Sequence, residues 1–390
     1  MVAGSSNINT TRVLRTIWLQ PGISRVEISR ILNLNKSTVS KIVGGLDELG
    51  LVEIVSVGHA GPEGGRRPIH LHLNPRWGCI MGVEIQTEAF TVVGIDLHGD
   101  IFFSHTEPLD IRSTDLVSAF LDIVRRFTPN LESTGMPLVG IGVGLSGFVD
   151  PARGILHASM PLESYQPIAF VDEARSRLDR DVPILVDNDA NCGCWGELAF
   201  KHSDRPENFL FVLGELRKHT VDMDDYRIMA LGLGLVINGR VYHGSSFSAG
   251  EFRSILYRKD QVNQFSISDD QAKLFLQDDE VDRLIGREVA FHVAFLITTL
   301  NLEKVVIGGP VELIADEMIA EIRQRIIDNW AYPEPIRCDF AVSRLGDKAV
   351  AYGAAGMFLE HLFTVPSVPV DTSIAPHGVD LVKSIAPTAP

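Results

Sequence analysis

Val182-Pro183-Ile184-Leu185-Val186-Asp187-Asn188-Asp189-Ala190-Asn191 decides how this chain is read. A short apolar run suits a strand buried on both faces, and this one stops abruptly in carboxylates and carboxamides. Strand ends of that kind are where α/β folds place their sites, because side chains leaving neighbouring strand ends converge on one crevice. Taken alone, an Asn-Asp pair there is more often a turn or a helix cap. Its surroundings repeat the pattern. Residues 138–145 form another apolar strand that runs into Ser146-Gly147-Phe148-Val149-Asp150, and before it come strands at 79–86, 89–97 and 100–109 and a helix at 114–127. Downstream lie Gly232-Leu233-Gly234, Asn238-Gly239, Ala249-Gly250-Glu251 and a strand at 304–307 that ends in Gly308-Gly309-Pro310. The expected class is α/β.

The first 78 residues have a different character. Ile8, Val13, Leu14, Ile17 and Trp18 recur at helical spacing until Pro21-Gly22 closes the helix. Ser24-Arg25-Val26-Glu27 has the form of a capping box, with Ile28, Ile31 and Leu32 as the buried face, and Asn33 ends this second helix. A third helix begins with the polar run from Asn35 to Lys41 and then buries Ile42, Val43, Leu46 and Leu49. Strands at 51–57 and 69–73 follow, joined by a glycine-rich wing that carries Arg66 and Arg67. This is the pattern of a winged helix-turn-helix. Lys36, Ser37, Thr38, Ser40 and Lys41 would meet the major groove, since short hydroxyls let a helix approach base edges while lysines attract phosphate. Arg66 and Arg67 would enter the minor groove, touch phosphate or stay solvated. The alternative is a three-helix protein-interaction domain whose lysines only keep it soluble.

Charge supports the division. The 390-residue chain has a formal charge of -15, which argues against nucleic acid until it is split: residues 1–78 hold nine basic and five acidic side chains, +4, leaving -19 on the remainder. Phosphate attraction is local, over about 10 Å at moderate salt, so a small basic head works on a large acidic body. No apolar stretch approaches the roughly 20 residues of a membrane span. The N-terminus lacks the basic start and apolar run of a secretion signal, and four cysteines are too few for a disulfide scaffold. A reducing cytoplasm is the expected location.

In order and spacing these motifs resemble the ROK family (repressors, open reading frames and sugar kinases), in particular its xylose and N-acetylglucosamine repressor branch. The likeness rests on Asp187-Asn188-Asp189-Ala190-Asn191 with Gly196-Glu197, and on Gly64-Gly65-Arg66-Arg67-Pro68 at the end of the wing. It implies an actin-like, hexokinase-like body of two α/β lobes around a cleft. The implied layout is a winged helix-turn-helix at 1–78, a first lobe at 79–207, a second at 208–347, a helix at 348–364 returning to the first lobe, and a disordered tail at 365–390. In family kinases the aspartate matching Asp189 takes a proton from the sugar hydroxyl, the neighbouring asparagine holds the sugar, and the glutamate matching Glu251 binds it too. The implied sugar set is Ser146, Gly147, Asn188, Asp189 and Glu251, with His157, Glu163 and Tyr165 as substitute contacts or plain loop surface.

The chain departs from the kinases where phosphates would bind. The family's first phosphate loop, Asp-x-Gly-Gly-Thr, is Glu84-Ile85-Gln86-Thr87-Glu88 here, and the second, Gly-Thr-Gly-x-Gly, is Ala230-Leu231-Gly232-Leu233-Gly234. Phosphoryl transfer needs cradled phosphates, so no catalytic residue and no nucleotide cofactor are expected. The family zinc site needs a histidine where Ser254 stands and cysteines that are missing; Cys192 and Cys194 read as small packing residues, and no metal is expected. Residues 215–227 form a charged insertion for which the sequence offers no account. The expected function is a sugar-responsive DNA-binding regulator, a homodimer or tetramer on duplex operator DNA with a sugar or sugar phosphate as effector. The rivals are a sugar kinase with a DNA-binding head and a regulator whose pocket is vestigial.

Overall fold

Ser24 opens a helix because its side chain and that of Glu27 satisfy each other's backbone. Ser24 Oγ accepts the Glu27 N–H at 3.3 Å, and Glu27 Oε2 accepts the Ser24 N–H at 2.8 Å. The same helix stops at Asn33, whose φ of 52° is left-handed. These caps delimit α2 (Arg25–Leu32) between α1 (Val2–Leu19) and α3 (Lys36–Glu48), and β1 (Val52–Ser56) pairs antiparallel with β2 (Ile69–Leu73). The structure, a computed structural model, describes residues 2–56, 69–111, 114–200, 205–221 and 224–364. The wing arginines Arg66 and Arg67 and the 365–390 tail lie outside the described residues. Within the head, Val13, Leu14, Ile17, Ile28, Val39, Val43 and Leu46 are buried, but Ile31 and Leu49, expected inside, are exposed. In an eight-residue helix only one stripe faces the core, and Ile28 takes it.

The body contains two five-stranded sheets with one strand order. The first runs β5 (Ile101–Pro108), β4 (Ala89–Ile95), β3 (Cys79–Ile85), β6 (Leu138–Leu145), β9 (Ile184–Asn188). The second runs β12 (Arg240–Val241), β11 (Asp224–Ile237), β10 (Phe209–Val221), β13 (Lys304–Gly308), β14 (Asp339–Val342). In each, the first three strands form an antiparallel meander and two parallel strands follow by helical crossover, which gives order third, second, first, fourth, fifth. Lobe 1 packs α4 (Leu116–Glu132) and α5 (Phe170–Arg177) on its sheet, with a small ribbon of β7 (Phe148–Asp150) and β8 (Ile155–Ala158); α6 (Asp189–Phe200) leads towards lobe 2. Lobe 2 carries α7 (Asp269–Ala272), α8 (Asp279–Leu300) and α9 (Ala315–Asn329). The last helix, α10 (Ala349–Phe363), returns to lobe 1.

That return is possible because lobe 1 is paved with glycine where α10 lies. A Cβ on Gly82 would sit 1.9 Å from the Ala351 carbonyl oxygen, and one on Gly142 would sit 1.9 Å from that of Ala354. On the other side of α10, a Cβ on Gly353 would meet the Cys192 carbonyl oxygen of α6 at 1.8 Å. The backbones themselves are in contact, as only glycine permits. The opposite end of α10 receives the DNA-binding head, whose core runs without a break into Ile80, Val93, Phe358 and Leu362 of lobe 1.

The sequence offered no account of the charged residues 215–227; those that the structure describes, 215–221 and 224–227, belong to β10 and β11, in unbroken antiparallel register from Phe209↔Val236 to Val221↔Asp224. The hairpin simply extends past its sheet as a two-stranded arm.

Candidate functional site

Helix α3 starts at the N-cap Asn35, with φ -62° and ψ 141°. No acidic side chain stands in its first turn, so its free N–H groups keep their positive field. Val39 and Val43 face inward, which turns Lys36, Ser37, Ser40 and Lys41 to solvent and leaves Thr38 half-buried. All five candidate groove-reading residues therefore share one helix end. The Trp77 indole donates to the Leu49 carbonyl at 3.0 Å within the head, and the Arg76 guanidinium donates to the Thr134 carbonyl of lobe 1 at 2.8 Å, which joins the two.

In the body, the parallel strands of both lobes end at the same cleft. Asn188 closes β9 and Asp189 opens α6. Asp189 accepts hydrogen bonds from Ser146 Oγ and from the Ala190 N–H (2.7 Å), while Asn188 Nδ2 donates to the Gly147 carbonyl at 3.1 Å. Gly147 has φ of 116°, and a Cβ there would lie 2.3 Å from the Ala158 carbonyl oxygen, so the residue is glycine for two reasons. Glu251 comes from lobe 2, after Gly250 at φ 90°, and bridges backbone to Gly232, which in turn abuts Asp189. Ser146, Gly147, Asn188, Asp189 and Glu251 thus meet around one cleft.

The electrostatics of this cleft were not legible beforehand. Asp189 is buried, and desolvation, followed by the field of Glu215, raises its carboxyl above the ordinary range. Glu251 is raised by desolvation and then by Asp189, with Arg217 opposing. Glu84, at the end of β3, is also buried and lies well above the ordinary glutamate value through burial first and Glu215 next. Among the described residues its one hydrogen bond comes from Gln86 Nε2 at 2.7 Å. Arg217, on the arm, donates to Glu215 at 2.6 Å. Sequence reasoning missed Glu84 as a buried group, and missed Glu215 and Arg217, because only the extended hairpin brings the arm to the cleft. Beside them opens a cavity of about 1150 Å³ lined by Glu84, Glu215, Asp347, Lys218, Arg227 and Lys273, among others.

Asp187 is fully buried and holds the two lobes together. It accepts from the Asn188 N–H (2.7 Å), Asn191 Nδ2 (3.0 Å), Trp195 Nε1 (2.8 Å) and, from lobe 2, His243 Nε2 (3.0 Å). His157 stacks on Phe247 of lobe 2 with ring centroids 5.6 Å apart, so it closes the lobes instead of lining them, while Glu163 and Tyr165 are exposed. Cys192 and Cys194 are buried, and burial pushes both thiols up. Ser254 is buried too; its Oγ accepts the Leu256 N–H at 3.0 Å. Among the described residues no three His, Cys, Asp or Glu side chains converge on a point fit for a metal, and no helix is long and apolar enough to cross a membrane.

A DNA-binding type of head is thus seated on a two-lobed α/β body with a polar cleft. Comparison with known proteins agrees: the chain carries a ROK family domain, matched over residues 80–263, behind a winged helix-turn-helix DNA-binding domain, matched over 6–53. The xylose repressor of Bacillus subtilis is 22% identical over 389 residues, covering 91% of this chain and 95% of that protein. The Escherichia coli DNA-binding transcriptional dual regulator NagC is 27% identical over 249 residues, 64% of this chain and 57% of that one. Among solved structures, a ROK family transcriptional regulator homologous to the E. coli MLC protein superposes with TM-score 0.69 at 21% identity, covering 90% of this chain and 95% of the other. A ROK family glucokinase from Streptomyces griseus superposes with TM-score 0.55 at 18% identity, covering 72% of this chain and 99% of its own. The body therefore has the fold shared by ROK regulators and ROK kinases.

Proposed function

We propose that this chain is a sugar-responsive transcriptional repressor that binds duplex operator DNA through α3 and releases it when a sugar occupies the cleft. The observation that carries the reading is a single one: the exposed Lys36, Ser37, Ser40 and Lys41 stand on a head whose core is continuous with the lobe that bears Asn188 and Asp189. A ligand that favours one lobe arrangement then has a solid path to the head, which coupling between two sites requires. The relatives that match over nearly the whole chain are xylose repressors, in keeping with this reading. The proposed site residues are Lys36, Ser37, Thr38, Ser40, Lys41, Arg66 and Arg67 for DNA, and Ser146, Gly147, Asn188, Asp189 and Glu251 for the sugar. A cytoplasmic homodimer, or a dimer of dimers, fits a two-fold operator whose half-sites lie about 34 Å apart or a multiple of that.

The test is fluorescence anisotropy with labelled duplex DNA across a salt series. Lys36→Ala and Lys41→Ala are each expected to weaken binding and to lower the slope of log K against log salt by about 0.9 per lost phosphate contact. Unchanged titrations for both would take α3 out of the interface.

The kinase reading draws on Asp189, held by Ser146 as a base would be. Against it stand Glu84 and Gln86 at the first phosphate position, and Ala230 and Leu231 in place of the second loop's glycine and hydroxyl. Sugar-dependent ADP formation that disappears in Asp189→Ala would replace the repressor by an enzyme.

A further inference from the structure

Strand alternation fixes which way the arm points. Phe209, Phe211 and Leu213 of β10 pack on Ala190, Cys192 and Cys194 of α6. Side chains two apart share a face, so Glu215 and Arg217 continue that face into the cleft beside Asp189. Lys218, next along and on the other face, pairs with Glu88 of lobe 1 at 3.6 Å. Three carboxylates, Asp189, Glu215 and Glu251, thereby share the Arg217 guanidinium, and each of Glu84, Asp189 and Glu251 feels another carboxylate of the four. Arg217 is already taken by Glu215. Phosphate sites are built the other way, from backbone N–H groups, lysine and arginine.

We infer that Glu84 and Glu215 make the cleft selective for charge, so that it accepts a sugar with a free hydroxyl beside Asp189 and rejects the same sugar phosphorylated there. The inference rests on the sugar-binding reading of the cleft and narrows its effector to an unphosphorylated one. A phosphoryl group on the hydroxyl at Asp189 stands between that carboxylate and the Glu84 and Glu215 end of the cleft. It brings up to two negative charges beside carboxylates whose shared guanidinium, Arg217, is already paired with Glu215; of the other cations lining the cavity, Lys218 is paired with Glu88 and Lys273 with Asp270, and Arg227 stands on the arm. Glu215 cancels Arg217, so the other carboxyl groups of the cleft face the newcomer without it. Like charges a few ångströms apart in such a setting cost binding on the order of 100-fold or more.

The experiment uses the full chain and matched pairs: glucose, mannose and N-acetylglucosamine, each with its 6-phosphate, by thermal shift and titration calorimetry. The expected result is that at least one free sugar raises the melting temperature and that its 6-phosphate binds roughly 100-fold more weakly or not at all. Glu215→Gln, at a half-buried position of the arm, is expected to narrow that gap about tenfold; Glu84→Gln serves as a second variant, and the melting curve of each unliganded variant reports folding. A 6-phosphate that binds as tightly as its sugar overturns the inference while leaving the sugar site in place. A gap that survives in both folded variants also overturns it, since charge is then not the cause. If no member of any pair shifts the melting temperature the inference falls; if xylose, run alongside, fails as well, the sugar-binding reading falls with it.

Discussion

Asp187 shows how one side chain serves two lobes. With four donors on a carboxylate that has no solvent exposure, its charge is matched locally, and the donor from lobe 2 is His243. Burial alone would lower the His243 pKa, but the hydrogen bond and charge of Asp187, helped by Asp150, raise it above the ordinary 6.5. A histidine that holds its proton more tightly when folded contributes stability that is complete below 6.5 and fades as pH rises through the folded value. Melting temperature is therefore expected to fall between pH 6 and pH 8 by more in the native chain than in His243→Ala; parallel pH curves for the two would show that the pair is not ionic. Asp187 was visible in the sequence as part of a motif. His243 was not, because its partner lies 56 residues away and only lobe packing brings them together.

Strands and helices with a one-sided apolar pattern were legible, and the arm was not, for the same physical reason. Apolar alternation marks a strand only where one face meets a core. Beyond Leu213, β10 leaves its parallel partner and only scattered apolar residues such as Leu216, Ile228 and Met229 still meet the lobe 2 core, so the charged side chains among them hide the period although the backbone pairing continues. The glycines of 138–145 were equally silent: they read as an apolar strand, and nothing nearby in the chain announces that α10, over 200 residues later, lies on them. Their role makes a sharp prediction. Gly142→Val places a branched side chain where the Ala354 carbonyl oxygen now sits, and α10 has no room to retreat because Gly353 already touches α6. A loss of about 3 kcal/mol or more is expected in urea unfolding, the range of overpacked cores with displaced backbone. A change under about 1 kcal/mol would mean that α10 is held less firmly than the contacts imply.

The molecule as a whole turns on Glu360. The charge split correctly marked a basic head, but it gave no sign that Trp18, Phe363 and their neighbours weld that head to lobe 1, because packing across such a seam has no local pattern. At the edge of the weld, Glu360 of α10 accepts Arg15 of α1 at 2.7 Å and, through both oxygens, Arg205 at 3.0 and 3.1 Å. Arg205 lies in the crossover from α6 to β10, and α10 is the way back, so both connections between lobes meet the head at one buried carboxylate. Burial opposes the charge on Glu360, yet the two guanidiniums outweigh it and hold the carboxyl below the ordinary 4.5. Its contribution is thus present above 4.5 and lost as pH falls through the folded value. Glu360→Gln leaves two guanidiniums short of a counter-charge, which costs about 3 kcal/mol when such a pair is broken in a protein interior. Native-state hydrogen exchange then decides where the loss is felt. Faster exchange is expected in α1 and the last turns of α10, while α8 and α9 keep their protection. Equal acceleration everywhere would make Glu360 a general stabiliser with no particular part in linking the head to the connections between the lobes.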